Sequence, residues 1–206
     1  RKQIEIKNNL CYNYFVSNLT KKMIPENLRK KIKSHKELSE EIKKHKAENK
    51  KIVHCHGVFD LIHPGHIHQF NQAKQMGDIL VVSLVNDHYV RKGPGRPFFP
   101  QELRLDWIAS LELVNYVTLC DSEGPWKVME AIKPHFFIKG RDAEHLLKDP
   151  GSGLSKDKIL IESLGGELHF TDSLPFHSTE ILKKFFNTHP EEAKNIKNKQ
   201  SNKRKK

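Results

Sequence analysis

The sequence lacks an uninterrupted apolar run approaching the roughly 20 residues that a membrane-spanning helix needs. It also lacks the short apolar core of a secretion signal. It has only three cysteines, and no two of them have the C-x-x-C spacing of metal sites and redox motifs. We therefore expect no membrane span, and we expect reduced, buried thiols, which fit a cytoplasmic protein. Because the chain begins at Arg1 rather than at a methionine, we expect it to be part of a longer protein.

Positive charge predominates, with a net charge of +11, but it is concentrated at the two ends. Residues 1–50 carry 14 basic and 6 acidic side chains, residues 188–206 carry 7 and 2, and residues 51–187 carry 15 and 17. The middle of the chain also lacks the aromatic side chains among basic ones that single-strand binders use. We therefore expect no nucleic acid partner. A non-enzymatic module that binds RNA or an acidic partner through the flanks is a distant alternative.

Strand-like and helix-like segments alternate along most of the chain. Strand-like runs lie at 51–57, 79–86, 114–119, 135–139 and 167–171, and helix-like runs at 66–76, 101–112, 125–132, 155–164 and 178–186. The strand-like runs are nearly continuously apolar, which is typical of parallel strands covered on both faces. The alternation predicts an α/β fold, a Rossmann-like doubly wound parallel sheet.

Segments of different composition flank this region. The apolar spacing over residues 26–49 predicts one helix packed on the sheet, within an N-terminal helical extension over residues 1–50. Residues 188–206 are rich in lysine and asparagine, so we expect a basic disordered tail after a folded domain over residues 51–187. The apolar run at residues 10–16 is compatible with packing on a second subunit.

The most informative stretch is residues 57–66, which read G-V-F-D-L-I-H-P-G-H. It joins the first predicted strand to a predicted helix and places His63 and His66 three residues apart. At such a junction, backbone N–H groups and the positive end of the helix dipole face a bound anion. Gly65, between the histidines, lets a ligand come close to the backbone. The stretch therefore predicts a phosphate site with two imidazole donors.

Three further segments carry polar residues where the predicted strands end or a helix begins. They are Arg91, Lys92 and Arg96 after the second strand, Lys139, Gly140, Arg141 and Asp142 after the fourth, and Ser178 and Thr179 at the start of the last helix. A solvated basic loop and an ordinary helix cap are the alternatives for the first and last of these segments. Their positions at the carboxyl ends of strands favour contact with the same ligand.

Taken together, these segments resemble the cytidylyltransferase-like nucleotidyltransferases, whose signature G-x-F-D-x-x-H-x-G-H is complete here. They are most similar to the heptose 1-phosphate adenylyltransferases, which also have a K-G-x-x-R-P loop, an E-x-R helix and a K-G-x-D segment. Glu102 and Arg104 match the E-x-R helix. The resemblance covers about two thirds of the chain. The sequence departs from the pattern at His56, Arg141 and the His-Ser-Thr run at residues 177–179, and these departures bear on the acceptor.

The resemblance implies an enzyme that transfers AMP or CMP from ATP or CTP to a phosphorylated small molecule and releases pyrophosphate. A sugar phosphate such as heptose 1-phosphate is the expected acceptor. A CTP-dependent glycerol- or polyol-phosphate cytidylyltransferase and an FAD synthetase-like adenylyltransferase are the alternatives. Mg²⁺ would accompany the triphosphate, with no direct protein ligand. A homodimer and a fused or separate sugar kinase are compatible with the resemblance.

The resemblance also implies roles for individual residues. The expected catalytic residues are His63, His66 and Lys92. The expected nucleotide-binding residues are Gly57, Val58, Phe59, Asp60, Gly65, Lys139, Gly140, Arg141, Asp142, Ser178 and Thr179. The expected contacts to the acceptor or a phosphate are His56, Asp87, Arg91 and Arg96. Asp60 has a second interpretation, in which it holds the loop. A zinc site at the four neighbouring histidines is not expected, because no cysteine or carboxylate completes a familiar ligand set.

Overall fold

The computed structural model describes residues 24–93, 96–172 and 187–188. Its strands are β1 (Ile52–Gly57), β2 (Ile79–Val85), β3 (Tyr116–Cys120), β4 (Phe136–Gly140) and β5 (Glu167–Thr171). They form one sheet in the order β3-β2-β1-β4-β5, and every neighbouring pair is parallel. The Rossmann-like doubly wound sheet is therefore confirmed.

Helices connect and cover these strands. They are α1 (Glu26–Arg29), α2 (His35–Ala47), α3 (Pro64–Met76), α4 (Gln101–Ala109), α5 (Trp126–Ile132) and α6 (Gly153–Ser163), with 3₁₀ helices at Asp87–Tyr89 and Arg141–Lys148. In the described part of the chain, no helix has the length and apolar character needed to cross a membrane. The predicted helix at 178–186, the tail after residue 188 and the apolar run at 10–16 lie outside the described residues.

The prediction of one continuous helix over residues 26–49 is wrong, because two helices occupy this range. Between them the backbone is extended, and Val117 of β3 donates to the carbonyl of Lys31 and accepts from the amide of Lys33. Helix α2 then begins with a capping box in which Ser34 and Glu37 bond each other's backbone amides. The segment before Ser34 thus extends the sheet edge locally instead of continuing the helix.

Two helical layers bury the two faces of the sheet. On one face, α3 and α4 pack on strand residues that include Val53, Cys55 and Leu80. On the other face, α2 and α5 pack on Ile52, Ile79 and Val81. Successive strand residues point to opposite faces, so His54 and His56 belong to the α2/α5 face. Burial on both faces explains the continuously apolar runs of the sequence. Cys55 and Cys120 are buried and not disulfide-bonded, as expected.

Strand β1 lies at the centre of the sheet, where the connections diverge. From β1 the chain goes to β2 and β3 on one side, and it later returns to place β4 and β5 on the other. In open parallel sheets, ligands bind at the carboxyl ends of the strands at this point. The fold therefore places the loop after β1 where a ligand site is expected.

Candidate active site

The loop after β1 brings the two histidines together at the start of α3. His63 is the residue before the helix, His66 lies in its first turn, and the amide of His66 donates to the carbonyl of His63 at 2.9 Å. Their rings stack with centroids 3.7 Å apart and an interplanar angle of 29°. Gly65 lies in the same turn. Two imidazoles therefore share one side of an electropositive helix start, an arrangement suited to a polyphosphate.

Phe59 fixes the path of this loop. Its φ of 49° lies in the left-handed region, and its buried ring packs against Phe70 and the edge of His66, with both centroid distances at 5.2 Å. A Cβ atom added at Gly57 would lie 3.0 Å from that ring. Glycine at position 57 thus lets Phe59 fold back and orient His66. Direct contact of Gly57 and Phe59 with a nucleotide stays a prediction.

Asp60 ties the loop after β1 to residues 96–99. Its buried carboxylate accepts hydrogen bonds from the amide of Phe98 at 2.8 and 2.9 Å and from the amide of Phe99 at 3.0 Å. The Nε of Arg96 lies 2.7 Å from Asp60 Oδ2, and the guanidinium lies 4.8 Å from the centroid of the Phe98 ring. Asp60 and Arg96 are therefore engaged with each other, which corresponds to the loop-holding interpretation of Asp60.

Arg104 of α4 connects the loops of the site, a role that the sequence did not predict for it. It is completely buried, and its guanidinium donates to four oxygens: Phe99 O at 3.0 Å, Val58 O at 2.5 Å, Val85 O at 2.9 Å and Asp87 Oδ1 at 2.5 Å. It thereby connects the loop after β1, the end of β2 and the start of α4. The sequence contained one signal of this buried role. A charged residue four places before Ile108 lies on the apolar face of its helix.

Asp87 and Arg91 follow β2 but point to different partners. The second carboxylate oxygen of Asp87 accepts from the amide of Gln101 at 3.2 Å, and the Gln101 side chain accepts from the amide of Asp87. Arg91 donates to the carbonyl of His88 at 2.8 Å and lies 3.9 Å from the exposed Glu123. Contact of either residue with an acceptor stays a prediction.

Lys92 lies among three segments of the site. The residue as a whole is exposed, but its amine is partly buried. This burial lowers the pKa of the amine, and the Arg96 guanidinium lowers it further. The carboxylates of Asp60 and Asp142 act in the opposite direction. Because Asp60 follows β1 and Asp142 follows β4, the loops after β1, β2 and β4 converge around this amine.

The segment after β4 folds tightly at its glycine. A Cβ atom added at Gly140 would collide with the carboxylate of Asp142, so this carboxylate lies directly over the glycine. Arg141 points outward and lies 3.5 Å from the exposed Asp172. The structure thus brings Asp142 toward Lys92, while Arg141 lies at the surface.

Lys139 extends over the α2/α5 face of the sheet. Its amine donates to the carbonyl of His56 at 3.3 Å and lies 5.1 Å from the centroid of Phe137. Burial lowers its pKa, and Asp157 of α6 is the largest influence that opposes this shift. Burial likewise raises the pKa of Asp157, whose carboxylate accepts from Trp126 Nε1 at 3.0 Å. Contact of Lys139 with a phosphate stays a prediction.

Within residues 24–93, 96–172 and 187–188, no group of three or more histidine, cysteine, aspartate or glutamate side chains could hold a metal ion. The expectation that magnesium takes no direct protein ligand stays a prediction. Ser178 and Thr179 lie outside the described residues.

Comparison with known proteins identifies the family. The model of the cytidylyltransferase-like family matches residues 54–183. The chain belongs to the cytidylyltransferase-like family. This assignment confirms the expected enzyme class, a nucleotidyltransferase, and places the His63 and His66 loop inside the matched region.

Curated relatives of this cytidylyltransferase-like chain include bacterial proteins named bifunctional protein HldE. The one from Trichlorobacter lovleyi is 33% identical over 168 residues, which is 79% of this chain and 32% of the relative. The one from Wolinella succinogenes is 40% identical over 126 residues, or 60% of this chain and 26% of the relative. The chain thus spans about a third or less of the length of these relatives.

A solved structure shares the fold of this cytidylyltransferase-like chain. It is the pantoate-beta-alanine ligase of Francisella tularensis, with a TM-score of 0.50 and 17% sequence identity over 70% of this chain and 67% of that chain. At this identity the likeness supports the fold alone.

Proposed function

We propose that the chain transfers AMP from ATP to a sugar 1-phosphate, with heptose 1-phosphate as the first candidate, and releases pyrophosphate. The observation that carries the proposal is the stacked His63–His66 pair at the start of α3, where the connections of the sheet diverge. The choice of acceptor is supported by the likeness of four segments to heptose 1-phosphate adenylyltransferases and by the HldE relatives.

In the proposed reaction, an oxygen of the acceptor phosphate attacks the α-phosphorus of the nucleotide in line. The new bond forms between that oxygen and phosphorus, and the bond to the bridging oxygen breaks, so its electron pair leaves with pyrophosphate. Because the attacking oxygen is already anionic, no strong general base is required. The enzyme contributes positioning and charge stabilisation.

The residues of the site divide this task between them. His63 and His66 would donate to the phosphate oxygens at the start of α3, where the helix dipole favours negative charge. The Lys92 amine would add positive charge from the loop after β2. Asp60 and Arg104 would hold these loops in place. Mg²⁺ on the triphosphate would neutralise part of its charge.

The test is pyrophosphate release by the purified chain with Mg²⁺, either ATP or CTP, and four kinds of acceptor. The acceptors are heptose 1-phosphate, other sugar 1-phosphates, glycerol 3-phosphate and flavin mononucleotide. Release with ATP and heptose 1-phosphate is the expected result. Release only with CTP and glycerol 3-phosphate, or with ATP and flavin mononucleotide, would replace the proposal with one of its alternatives. A folded chain that neither releases pyrophosphate nor binds a triphosphate would contradict nucleotidyl transfer.

Two further proposals concern partners. A sugar kinase, fused or separate, would supply the phosphorylated acceptor, in keeping with relatives that are named bifunctional and are about two and a half times as long. A homodimer stays a prediction, since the apolar run at 10–16 lies outside the described residues.

A further inference from the structure

Three buried side chains form a hydrogen-bonded chain on the face of the sheet opposite α3. His54 Nε2 lies 2.7 Å from Ser83 Oγ, and His56 Nδ1 lies 2.8 Å from the same oxygen. His54 and Ser83 are completely buried, and His56 is 8% exposed. A single hydroxyl group therefore bridges two imidazoles of β1.

The positions of the protons in this chain follow from one unpartnered atom. The Ser83 hydroxyl has one proton, so it donates to one imidazole and accepts from the other. If it donated to His54, the proton of that ring would lie on Nδ1, which is buried and has no partner among the described residues. A buried N–H group without a partner is rarer and costlier than an unused lone pair. His54 therefore donates to Ser83, and Ser83 donates to His56.

This direction fixes the chemical form of His56. Its Nδ1 accepts, so its proton is on Nε2, and that nitrogen has no hydrogen-bond partner in the part of the chain that the structure describes. Burial lowers the pKa of His56 well below its usual value, and the neighbouring Lys139 amine and His54 lower it further. His56, one residue before the carboxyl end of β1, thus offers an uncharged N–H donor.

We propose that His56 Nε2–H donates a hydrogen bond to an uncharged oxygen of the acceptor, a hydroxyl or ring oxygen of the phosphorylated sugar. This proposal rests on the proposed function. The phosphates are assigned to the start of α3 on the opposite face of the sheet, where Lys92 adds positive charge. On the His56 side of β1, the Lys139 amine holds the positive charge and bonds the carbonyl of His56, so the His56 ring itself is left as the uncharged donor, which suits a neutral oxygen. His56 is then a specificity-determining residue, and Ser83 and His54 are its positioning residues.

The first test measures the form of the imidazole directly. In the full chain labelled with ¹⁵N-histidine, long-range ¹H–¹⁵N correlation spectra should show His56 protonated at Nε2 and not at Nδ1 between pH 5.5 and 8.5. The His56 signal is identified as the one that is missing from the spectrum of His56→Gln. In Ser83→Ala, the His56 ring should no longer be restricted to the form that is protonated at Nε2. A His56 ring protonated at Nδ1, or one that titrates near pH 6.5, would overturn the proposal.

The second test separates the acceptor from the nucleotide. His56→Leu should raise the KM for heptose 1-phosphate about 3- to 10-fold, as expected for one neutral hydrogen bond, and leave the KM for ATP unchanged. His56→Gln, whose amide can donate from a similar position, should recover part of the loss. The matched control is His45→Leu, which removes a histidine bonded to the Tyr116 hydroxyl at the start of β3. Parallel increases in both KM values would contradict the proposal.

Failure of the proposed function has a different signature. If the wild-type chain releases no pyrophosphate with any sugar phosphate, the proposed function fails, whatever the state of His56. If the chain does turn over heptose 1-phosphate, adding that compound alone to the labelled chain must move the His56 Nε2–H signal. Turnover without such a movement would overturn the role of His56 and leave the proposed function intact.

Discussion

At the scale of single residues, the completely buried Arg104 holds the loops of the candidate active site in place. Arg104→Met would remove the donors to three carbonyls and to Asp87, leaving buried oxygens unsatisfied. We expect a loss of about 3–5 kcal/mol in the free energy of unfolding. That corresponds to a melting temperature lower by about 6–20 °C in thermal unfolding followed by circular dichroism.

The control for Arg104 is Arg91→Met. Arg91 and Glu123 are both 68% exposed and 3.9 Å apart, so their pair is screened by solvent. We expect a change in melting temperature of no more than about 2 °C. Equal effects of the two substitutions would contradict the role given to Arg104.

His66 is the residue whose loss tests charge stabilisation most directly. His66→Ala should lower kcat about 10²- to 10³-fold, since it removes one donor aimed at the reacting phosphates. Circular dichroism should show the same fold. The matched control is His68→Ala, two residues further along α3 and bonded to Gln72. Pyrophosphate release within about twofold of wild type in His66→Ala would refute the assignment, which rests on the proposed function.

Sequence spacing alone revealed the histidine pair, because its geometry follows from three residues of one helix start. The contacts around it are different in kind. Asp60 meets Arg96, and Val58 meets Arg104, across intervals of dozens of residues. Such pairs depend on how separate loops converge, and no local pattern encodes that. The hydrogen bonds of Ser83 with His54 and His56 likewise depend on the register of β1 with β2, which no local pattern encodes.

At the scale of elements, the capping box of α2 tests how this helix is held. Ser34→Ala would leave the amide of Glu37 without its side-chain acceptor. We expect a loss of about 1 kcal/mol. That is about 2–4 °C in melting temperature. Ser163→Ala, at the exposed end of α6, is the control, and a larger effect there than at Ser34 would contradict this account.

The strands were predictable to within about two residues, because burial on both faces leaves continuous apolar runs. Helix α2 was predicted with the wrong start, since the spacing of Leu38 and Ile42 describes which side is apolar and not where the helix begins. The break before Ser34 comes from backbone pairing with Val117, a tertiary contact. Capping residues were the local signal available, as Ser34 and Glu37 have the spacing of a capping box.

At the scale of the whole molecule, two buried histidines make stability depend on pH. Burial, with a contribution from Lys139, lowers the pKa of His54 to about 3 and that of His56 well below its usual value. In the unfolded chain both rings titrate near pH 6.5. Below that pH the unfolded state binds protons that the folded state does not, so the free energy of unfolding falls as the pH falls.

Urea unfolding at pH 7, 6 and 5 measures this dependence. We expect each of the two histidines to contribute a loss of about 2 kcal/mol by pH 5. His54→Gln, whose amide can still bond Ser83, should lose about half of this joint contribution. A variant with the same dependence on pH as the wild-type chain would contradict the assignment of the effect to His54.

The central position of β1 in the sheet also affects how the protein folds during translation. One edge of β1 pairs with β2 soon after synthesis, but the other pairs with β4, where Val53 faces Phe136. About 80 residues must therefore be translated before that second edge is covered. During this interval an apolar strand carries unpaired backbone groups that other nascent chains can join. Translation that pauses before β4 should therefore favour aggregation, whereas a pause after β4 should not.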